Sequence, residues 1–413
     1  MNTFLSEFAP RPPDPLLGIS EALKADPRDG KVDLGVGIYK DSDGNTPILG
    51  AVKAAEKLIL ERQTTKAYEG PRGNAGFCAA IEKQVFGDQS EALSEGRVAS
   101  FTAPGGCGAI FLAMSLAARV SQEGRVWISS PSWPNHLNLA AAAGREALGY
   151  PYVDAETGTV AFEEMMDALR HARAGDIVII QGPCHNPTGV DLDLEQWAYL
   201  GDFCARQMLF PLIDVAYHGF GDGLEADIEG VRAFLAACPE TMTAYSCSKN
   251  FGLYRERAGC FLLQAETGAA AAAAASHVAE IARAVYSMPP AHGAAIVETI
   301  LTDEALTAQW REELGAMRDR MQRLRNDFAA ALERATGSDA FAALARQNGM
   351  FSMLPLQGPV TEMLRLQFGI YMPGSGRINI AGLPEDGLET LAGQMAPFLT
   401  AALAQHAAAA SQA

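Results

Sequence analysis

The stretch Tyr245-Ser246-Cys247-Ser248-Lys249-Asn250-Phe251-Gly252-Leu253-Tyr254-Arg255-Glu256-Arg257 sets a lysine among short hydroxyl residues, with a glycine and then an arginine soon after. An apolar, β-favouring run precedes it and another, Ala258 to Gln264, follows, so Lys249 is expected on a loop at the mouth of a buried sheet. Lysines are ordinarily solvated surface residues. Here Ser246, Ser248 and Arg257 could together hold a dianionic phosphate, because hydroxyls donate to phosphate oxygens and a guanidinium grips them as a fork. An amine beside a phosphate site is the arrangement that a Schiff-base cofactor with a phosphate handle requires.

Other polar residues stand where apolar strands should end. Leu209 to Ile213 reads as a buried strand closed by Asp214-Val215-Ala216-Tyr217, and an aspartate there is costly unless it meets a cation. Asp176 to Gly182 is a second such strand, followed by His185-Asn186-Pro187-Thr188-Gly189, a turn that puts an amide side chain into the crevice of a sheet. Val98 to Ala103 reads as a third, running into Pro104-Gly105-Gly106-Cys107-Gly108 and then a helix to about Arg119. Strand, glycine turn and helix N-terminus make a ready anion site, although no Gly-Lys-Ser/Thr closes it as in a nucleotide-binding P-loop. Arg125 to Ser130 is a fourth strand, leading to Trp133 and His136, which on their own read as a cap on the core and a hydrogen-bonded core histidine. Arg377, between Gly376 and the apolar Ile378, is poorly explained as a surface charge; a buried arginine calls for an anion, and a carboxylate suits its fork.

Stepping outward, alternating buried strands and helices predict an α/β fold with a mostly parallel sheet. Leu16 to Ala25 and Leu49 to Glu61 read as helices, and Val32 to Tyr39 as a short strand whose glycines admit a ligand. Gly268 to Val285 reads as a long helical region, and Leu306 to about Thr336 as a long amphipathic helix suited to bridging two domains. Gly349 to Met353 (a strand), Val360 to Phe368 (a helix) and Gly369 to Tyr371 (an edge) complete a smaller α+β unit. Residues 1–15, rich in proline, predict an extended arm, and Ala407 to Ala413 a frayed tail. A chain of 413 residues suggests about two domains. The division expected is an arm over 1–15, a large domain over 46–310, and a small domain joining 16–45 to 311–413.

A net charge of −17 argues against nucleic-acid and anionic-membrane partners. The seven cysteines show no CxxC pair and no metal-ligand spacing, so reduced thiols in a cytoplasmic protein, and no metal, are expected. The N-terminus carries no signal-peptide pattern, and no apolar run reaches the length of a membrane helix.

From Asp14-Pro15 to Ala381-Gly382-Leu383 the sequence resembles the aspartate and aromatic aminotransferases, the fold type I (class I) enzymes that use pyridoxal 5′-phosphate (PLP). The resemblance implies a large domain with a mostly parallel central sheet and a smaller α+β domain. It makes Lys249 the lysine that carries PLP, Asp214 the partner of the pyridine nitrogen backed by His136, and Tyr217 and Asn186 the partners of the phenolic oxygen. Trp133 becomes the ring-stacking residue. Gly106, Cys107, Ser246, Ser248 and Arg257 become the phosphate cradle, joined by Tyr68 of a neighbouring subunit. Gly37, Trp133, Asn186 and Arg377 would meet the substrate, with Arg377 on its α-carboxylate and Arg283, from across a homodimer with shared sites, on a distal carboxylate. Cys107 stands where threonine or serine is common, and Gln181 where the aspartate enzymes often carry histidine.

The expected activity is ping-pong transamination of aromatic amino acids and of aspartate and glutamate, with 2-oxoglutarate as acceptor and amino acids and 2-oxo acids as partners. Val285 and Met288, where the aspartate enzymes often have asparagines, favour the aromatic substrates. The alternatives are a strict aspartate aminotransferase, another PLP enzyme such as a decarboxylase or lyase, and a PLP-binding regulatory module. The last normally follows a DNA-binding domain, and only about 15 residues precede the resemblance here.

Overall fold

The apolar run of residues 177–181 sends alternate side chains to opposite faces. Ile177 and Ile179 pack into one hydrophobic cluster with Ile128, Leu212 and Phe261; Val178 and Ile180 pack into another with Ile213 and Val215. A sheet covered on both faces has strands that read as unbroken apolar stretches.

The computed structural model describes residues 4–10, 15–154 and 157–410. In chain order its strands are β1 (Val32–Asp33), β2 (Val98–Pro104), β3 (Val126–Ser130), β4 (Ala147–Pro151), β5 (Ile177–Gln181), β6 (Phe210–Val215), β7 (Thr241–Ser246), β8 (Ala258–Gln264), β9 (Phe351–Met353), β10 (Ile370–Tyr371) and β11 (Arg377–Asn379). Seven of them form the central sheet in the order β2-β8-β7-β6-β5-β3-β4, parallel except that β8 runs against both of its neighbours. The C-terminal ends of β2, β3, β5, β6 and β7 and the start of β8 therefore share one edge. Gln181 lies in register with Asp214, Asp214 with Ala244, and Ser246 with Gly259. In such sheets that edge is where ligands bind.

Two small sheets complete the fold: β1 pairs with β10 in parallel, and β9 with β11 antiparallel. A helix of 33 residues, Glu304–Thr336, joins the two regions; at 1.5 Å per residue it is about 50 Å long. It starts at Asp303, whose carboxylate accepts from the Ala305 and Leu306 N–H groups, and stops at Gly337 with φ 67°. Near its start Trp310 stacks on Phe251, centroids 4.4 Å apart, and donates to the Asn250 carbonyl at 2.8 Å. Further along, Arg325 is buried and donates to Ser352 Oγ and to the Gly349 carbonyl at 2.6 Å. The helix thus fixes the lysine-bearing loop relative to β9.

Several boundaries differ from the sequence reading. Only Val32–Asp33 of the expected 32–39 strand pairs as β-structure. Beyond it the carbonyls of Gly35, Val36 and Ile38 accept from the Arg377 and Asn379 side chains, so they enter no ladder. The first long helix is Pro15–Ala25, which takes Pro15 out of the expected arm. Phe4–Glu7 is a short 3₁₀ turn, while Pro12 and Pro13 lie outside the described residues. Asp214 is inside β6 rather than beyond it. The C-terminal helix Leu388–Ala410 runs through most of the expected frayed tail; residues 411–413 lie outside the described residues. Among the described residues no helix is long and apolar enough to cross a membrane.

Candidate active site

The β7–β8 connection turns back at the ligand edge of the sheet and carries Lys249 there. The lysine is partly buried, and its Nζ lies 4.8 Å from the centroid of the Tyr217 ring. Burial pulls its ammonium below the usual lysine range, opposed by the attraction of Asp214. A cavity of about 190 Å³ opens around it. Lys249, Asp214, Tyr217, Asn186, Trp133 and Gly37 line one part of that cavity. Gly106, Cys107, Ser246, Ser248 and Arg257 line the other. A larger cleft of about 530 Å³ near Asp191 and Arg346 lies away from the lysine and has no such convergence.

The second group makes an anion cradle. Ser246 Oγ donates to Ser248 Oγ at 2.9 Å. The helix Gly105–Val120 begins with no side-chain cap, leaving the N–H groups that follow Gly105 for a ligand. Arg257, at φ 54°, donates from Nη1 to the Tyr254 carbonyl at 2.9 Å and accepts at its own carbonyl from the Gly105 N–H, also at 2.9 Å. Gly105 is required twice over: its φ is 68°, and a Cβ there would sit 2.4 Å from Arg257 Nη2. A non-glycine residue in the left-handed region is uncommon, and Arg257 is held there with its guanidinium bonded to the Tyr254 carbonyl.

At the other end, Asp214 Oδ2 accepts from His136 Nε2 at 2.9 Å; His136 is fully buried, behind Asp214 and outside the cavity. Asn186 Nδ2 donates to Tyr217 Oη at 3.3 Å, while Asn186 Oδ1 is buried without a partner. Burial pushes the Tyr217 phenol upward, so it is a neutral hydroxyl near pH 7. Arg377 is 5% exposed, with its Cζ 4.3 Å from the Phe351 ring centroid. It donates from Nη2 to the Gly35 carbonyl at 2.7 Å, yet its Nε has no partner and it forms no ion pair among the described residues. Burial lowers its pKa.

Four of the predicted residues do not line this cavity: His136 and Arg377 are buried behind its wall, and Tyr68 and Arg283 stand apart from it. Tyr68 is 90% exposed, and Arg283 is exposed at the end of the helix Gly268–Val285, bonded to Ser287 Oγ. Val285 beside it is 53% exposed. The sequence reading gave no role to Tyr254, which lines the cavity and accepts from the Tyr39 N–H at 2.9 Å. Its signal was its place in the lysine stretch. Gln181, noted there only as a departure, also lines the cavity.

A partly buried amine with a lowered pKa and an anion cradle at the edge of the central sheet, with a buried guanidinium on nearby β11 that has no anion among the described residues, define an enzyme site for a phosphorylated cofactor and a carboxylate substrate. The comparisons with known proteins agree. A sequence model of the aminotransferase class I and II family matches residues 29–395. A tyrosine aminotransferase from Rhizobium meliloti (strain 1021) is 47% identical over 381 residues, covering 92% of this chain and 96% of its own. An aspartate aminotransferase from Salmonella typhi is 44% identical over 380 residues, with the same two shares. The crystal structure of an aromatic-amino-acid aminotransferase from Burkholderia pseudomallei, covalently bound to pyridoxal phosphate, superposes with a TM-score of 0.93 at 40% identity, covering 96% of this chain and 100% of that one. The chain belongs to the class I and II aminotransferase family and has its fold type I architecture. It is an aminotransferase.

Proposed function

We propose that the protein is a PLP-dependent aminotransferase acting on aromatic amino acids and on aspartate and glutamate, with 2-oxoglutarate as the amino acceptor. The observation that carries this reading is a partly buried Lys249 lining the cavity, with a buried Arg377 that has, among the described residues, no anionic partner close enough to act on it electrostatically. The residues present fit PLP: an uncapped helix start, two serines and Arg257 for its phosphate, Trp133 for its ring face, Asp214 for its ring nitrogen, and Asn186 and Tyr217 for its phenolic oxygen. When bound, PLP supplies an electron sink conjugated to the amino carbon of the substrate.

The chain's own residues do the rest. Arg377 takes the substrate α-carboxylate as a fork, and Asn186 holds one edge of it. Lys249 Nζ, its pKa lowered by burial, removes the proton from the substrate Cα and holds it. Asp214, held by His136, would accept from the ring nitrogen of PLP. Trp133 and Tyr217 wall the site and reduce the water around that proton.

Tyr68 and Arg283, exposed here, serve the site of a second subunit, so the working form is a homodimer with shared sites. The seven-stranded sheet and its helices form the large domain, over 46–310. The segments 16–45 and 311–413 form the small one, and the enzyme works in the cytoplasm. The exposed Val285 and partly buried Met288 beside Arg283 favour aromatic side chains along with dicarboxylates.

The test is single-turnover conversion of the PLP form by tyrosine, phenylalanine, aspartate, glutamate and alanine, followed by the cofactor's absorbance. Comparable conversion by the aromatic and acidic amino acids is expected. Conversion by aspartate and glutamate alone would make it a strict aspartate aminotransferase. Release of carbon dioxide or ammonia without the pyridoxamine form would place it among the other PLP enzymes.

A further inference from the structure

Behind Asp214 runs a chain of buried hydrogen bonds whose direction can be worked out. Gln181 Oε1 accepts from the Asn186 N–H at 3.0 Å, which fixes the orientation of the amide, because the flipped form would set two donors face to face. Gln181 Nε2 therefore faces the Asn186 carbonyl at 2.9 Å, Ser132 Oγ at 3.2 Å and His185 Nε2 at 3.1 Å. An amide nitrogen only donates, and its two hydrogens serve the Asn186 carbonyl and Ser132 Oγ, because Ser129 Oγ, 2.9 Å from His185 Nε2, supplies that nitrogen. Ser132 Oγ can only accept from it, and its hydroxyl hydrogen is left for His136 Nδ1, 3.0 Å away. With Nδ1 accepting, His136 Nε2 carries the hydrogen that it donates to Asp214 Oδ2 at 2.9 Å.

We propose that Gln181 is a positioning residue with two functions. It clamps the backbone of Asn186, and through Ser132 it sets the one-way order of hydrogen bonds that delivers the Nε2–H of His136 to Asp214. The proposal rests on the PLP reading only for its consequence, an Asp214 carboxylate held in place for the cofactor; the hydrogen-bond order is a property of the protein itself. The titratable groups facing this chain are Asp214, His185 and, across Asp214, Lys249. His185 is stacked on Tyr152, centroids 3.8 Å apart, and bonded to Ser129 Oγ and Thr188 Oγ1, both at 2.9 Å. Burial lowers its pKa well below the usual histidine value, so it stays neutral and does not compete as a proton source. A histidine or carboxylate at position 181 could exchange a proton with Ser132 and reverse the order; an amide has no proton to trade.

The test uses the full-length protein with [¹⁵N]histidine, with and without PLP. The His136 ring signals are assigned by their loss in His136→Gln. In the wild type, one protonated nitrogen (Nε2) and one unprotonated nitrogen (Nδ1) are expected, with or without PLP. In Gln181→Glu a carboxylate oxygen accepts from Ser132, so Nδ1 gains a hydrogen. A protonated Nδ1 signal should appear, and kcat at pH 8 should fall at least about tenfold, equivalent to about 1.4 kcal/mol. Gln181→Met is read in the same way if the glutamate variant does not melt cooperatively. It should show both tautomers in exchange and a raised KM from the released Asn186, whereas Gln181→Asn should restore neither property fully. A wild-type His136 protonated at Nδ1, or ring signals identical in the wild type and both variants, would overturn the proposal. Failure of PLP to bind would remove only the consequence, since the tautomer is read without it.

Discussion

Replacing Arg377 by methionine should make the protein more stable and the enzyme far worse. The guanidinium is buried, its Nε has no partner, and no carboxylate pairs with it among the described residues. Holding a charge in that state costs several kcal/mol, against about 1.5–3 kcal/mol returned by the bond to the Gly35 carbonyl. Methionine fills much of the space against Phe351 without a charge. The balance is a gain of about 1 kcal/mol, which raises Tm by about 2 °C in a protein of this size. The substrate loses a two-pronged, charge-assisted contact worth about 2–5 kcal/mol, so kcat/KM should fall by about 30- to 4,000-fold. Calorimetry of the ligand-free protein and steady-state kinetics with one amino acid read the two effects. A dicarboxylate such as succinate should raise the Tm of the wild type and leave that of the variant unchanged. The reasoning fails if Tm drops by more than about 3 °C while kcat/KM stays within about threefold, since Arg377 would then be a structural residue.

Two further predictions follow from residues outside the cavity. Mixed and refolded together, Lys249→Ala and Arg283→Ala chains should regain about a quarter of the wild-type activity on aspartate, because half the dimers are hybrids with one intact shared site; no recovery would show that each site is built from one chain. Acid stability should depend on a buried pair of opposite sense. His218, held by Tyr245 Oη at 2.8 Å and the Leu224 carbonyl at 2.6 Å, has its pKa lowered from 6.5 to about 4 by burial. Between those pH values the unfolded chain holds the extra proton, so stability falls as pH falls, by about 3 kcal/mol in all. Asp191, raised from 3.8 to about 6 by burial, does the reverse, because there the folded chain holds the extra proton as pH falls through that window. Thermal melts should show His218→Gln gaining on the wild type, and Asp191→Asn losing to it, between pH 7 and 4; offsets that do not change with pH would contradict both assignments.

The site residues most legible in the sequence were those with no ordinary explanation. Asp214 in an apolar strand, Asn186 in an Asn-Pro turn after another, and Arg377 beside an apolar strand each needed a partner that local sequence did not supply. The large strands were equally legible, because a sheet covered on both faces leaves long apolar runs at β5, β6 and β8. What depended on distant backbone was not. Tyr254 enters the cavity because Tyr39, far off in the chain, donates its N–H to the phenol. The stretch 35–38 fails to extend β1 because the Arg377 and Asn379 side chains take the carbonyls of Gly35, Val36 and Ile38. Gln181 looked like a missing histidine until its amide was seen paired with both the N–H and the carbonyl of Asn186. No periodicity reports such a pairing.

The central claim is that Lys249 is the residue through which PLP is held and the substrate Cα proton is moved. The most direct measurement is to incubate the purified protein with PLP, reduce it with borohydride, digest it and locate the added mass by tandem mass spectrometry. The account predicts one stoichiometric pyridoxyl modification, on Lys249, and none when an amino-acid substrate has first converted the cofactor. A stoichiometric modification on any other lysine, or none at Lys249 while transamination proceeds, would contradict it.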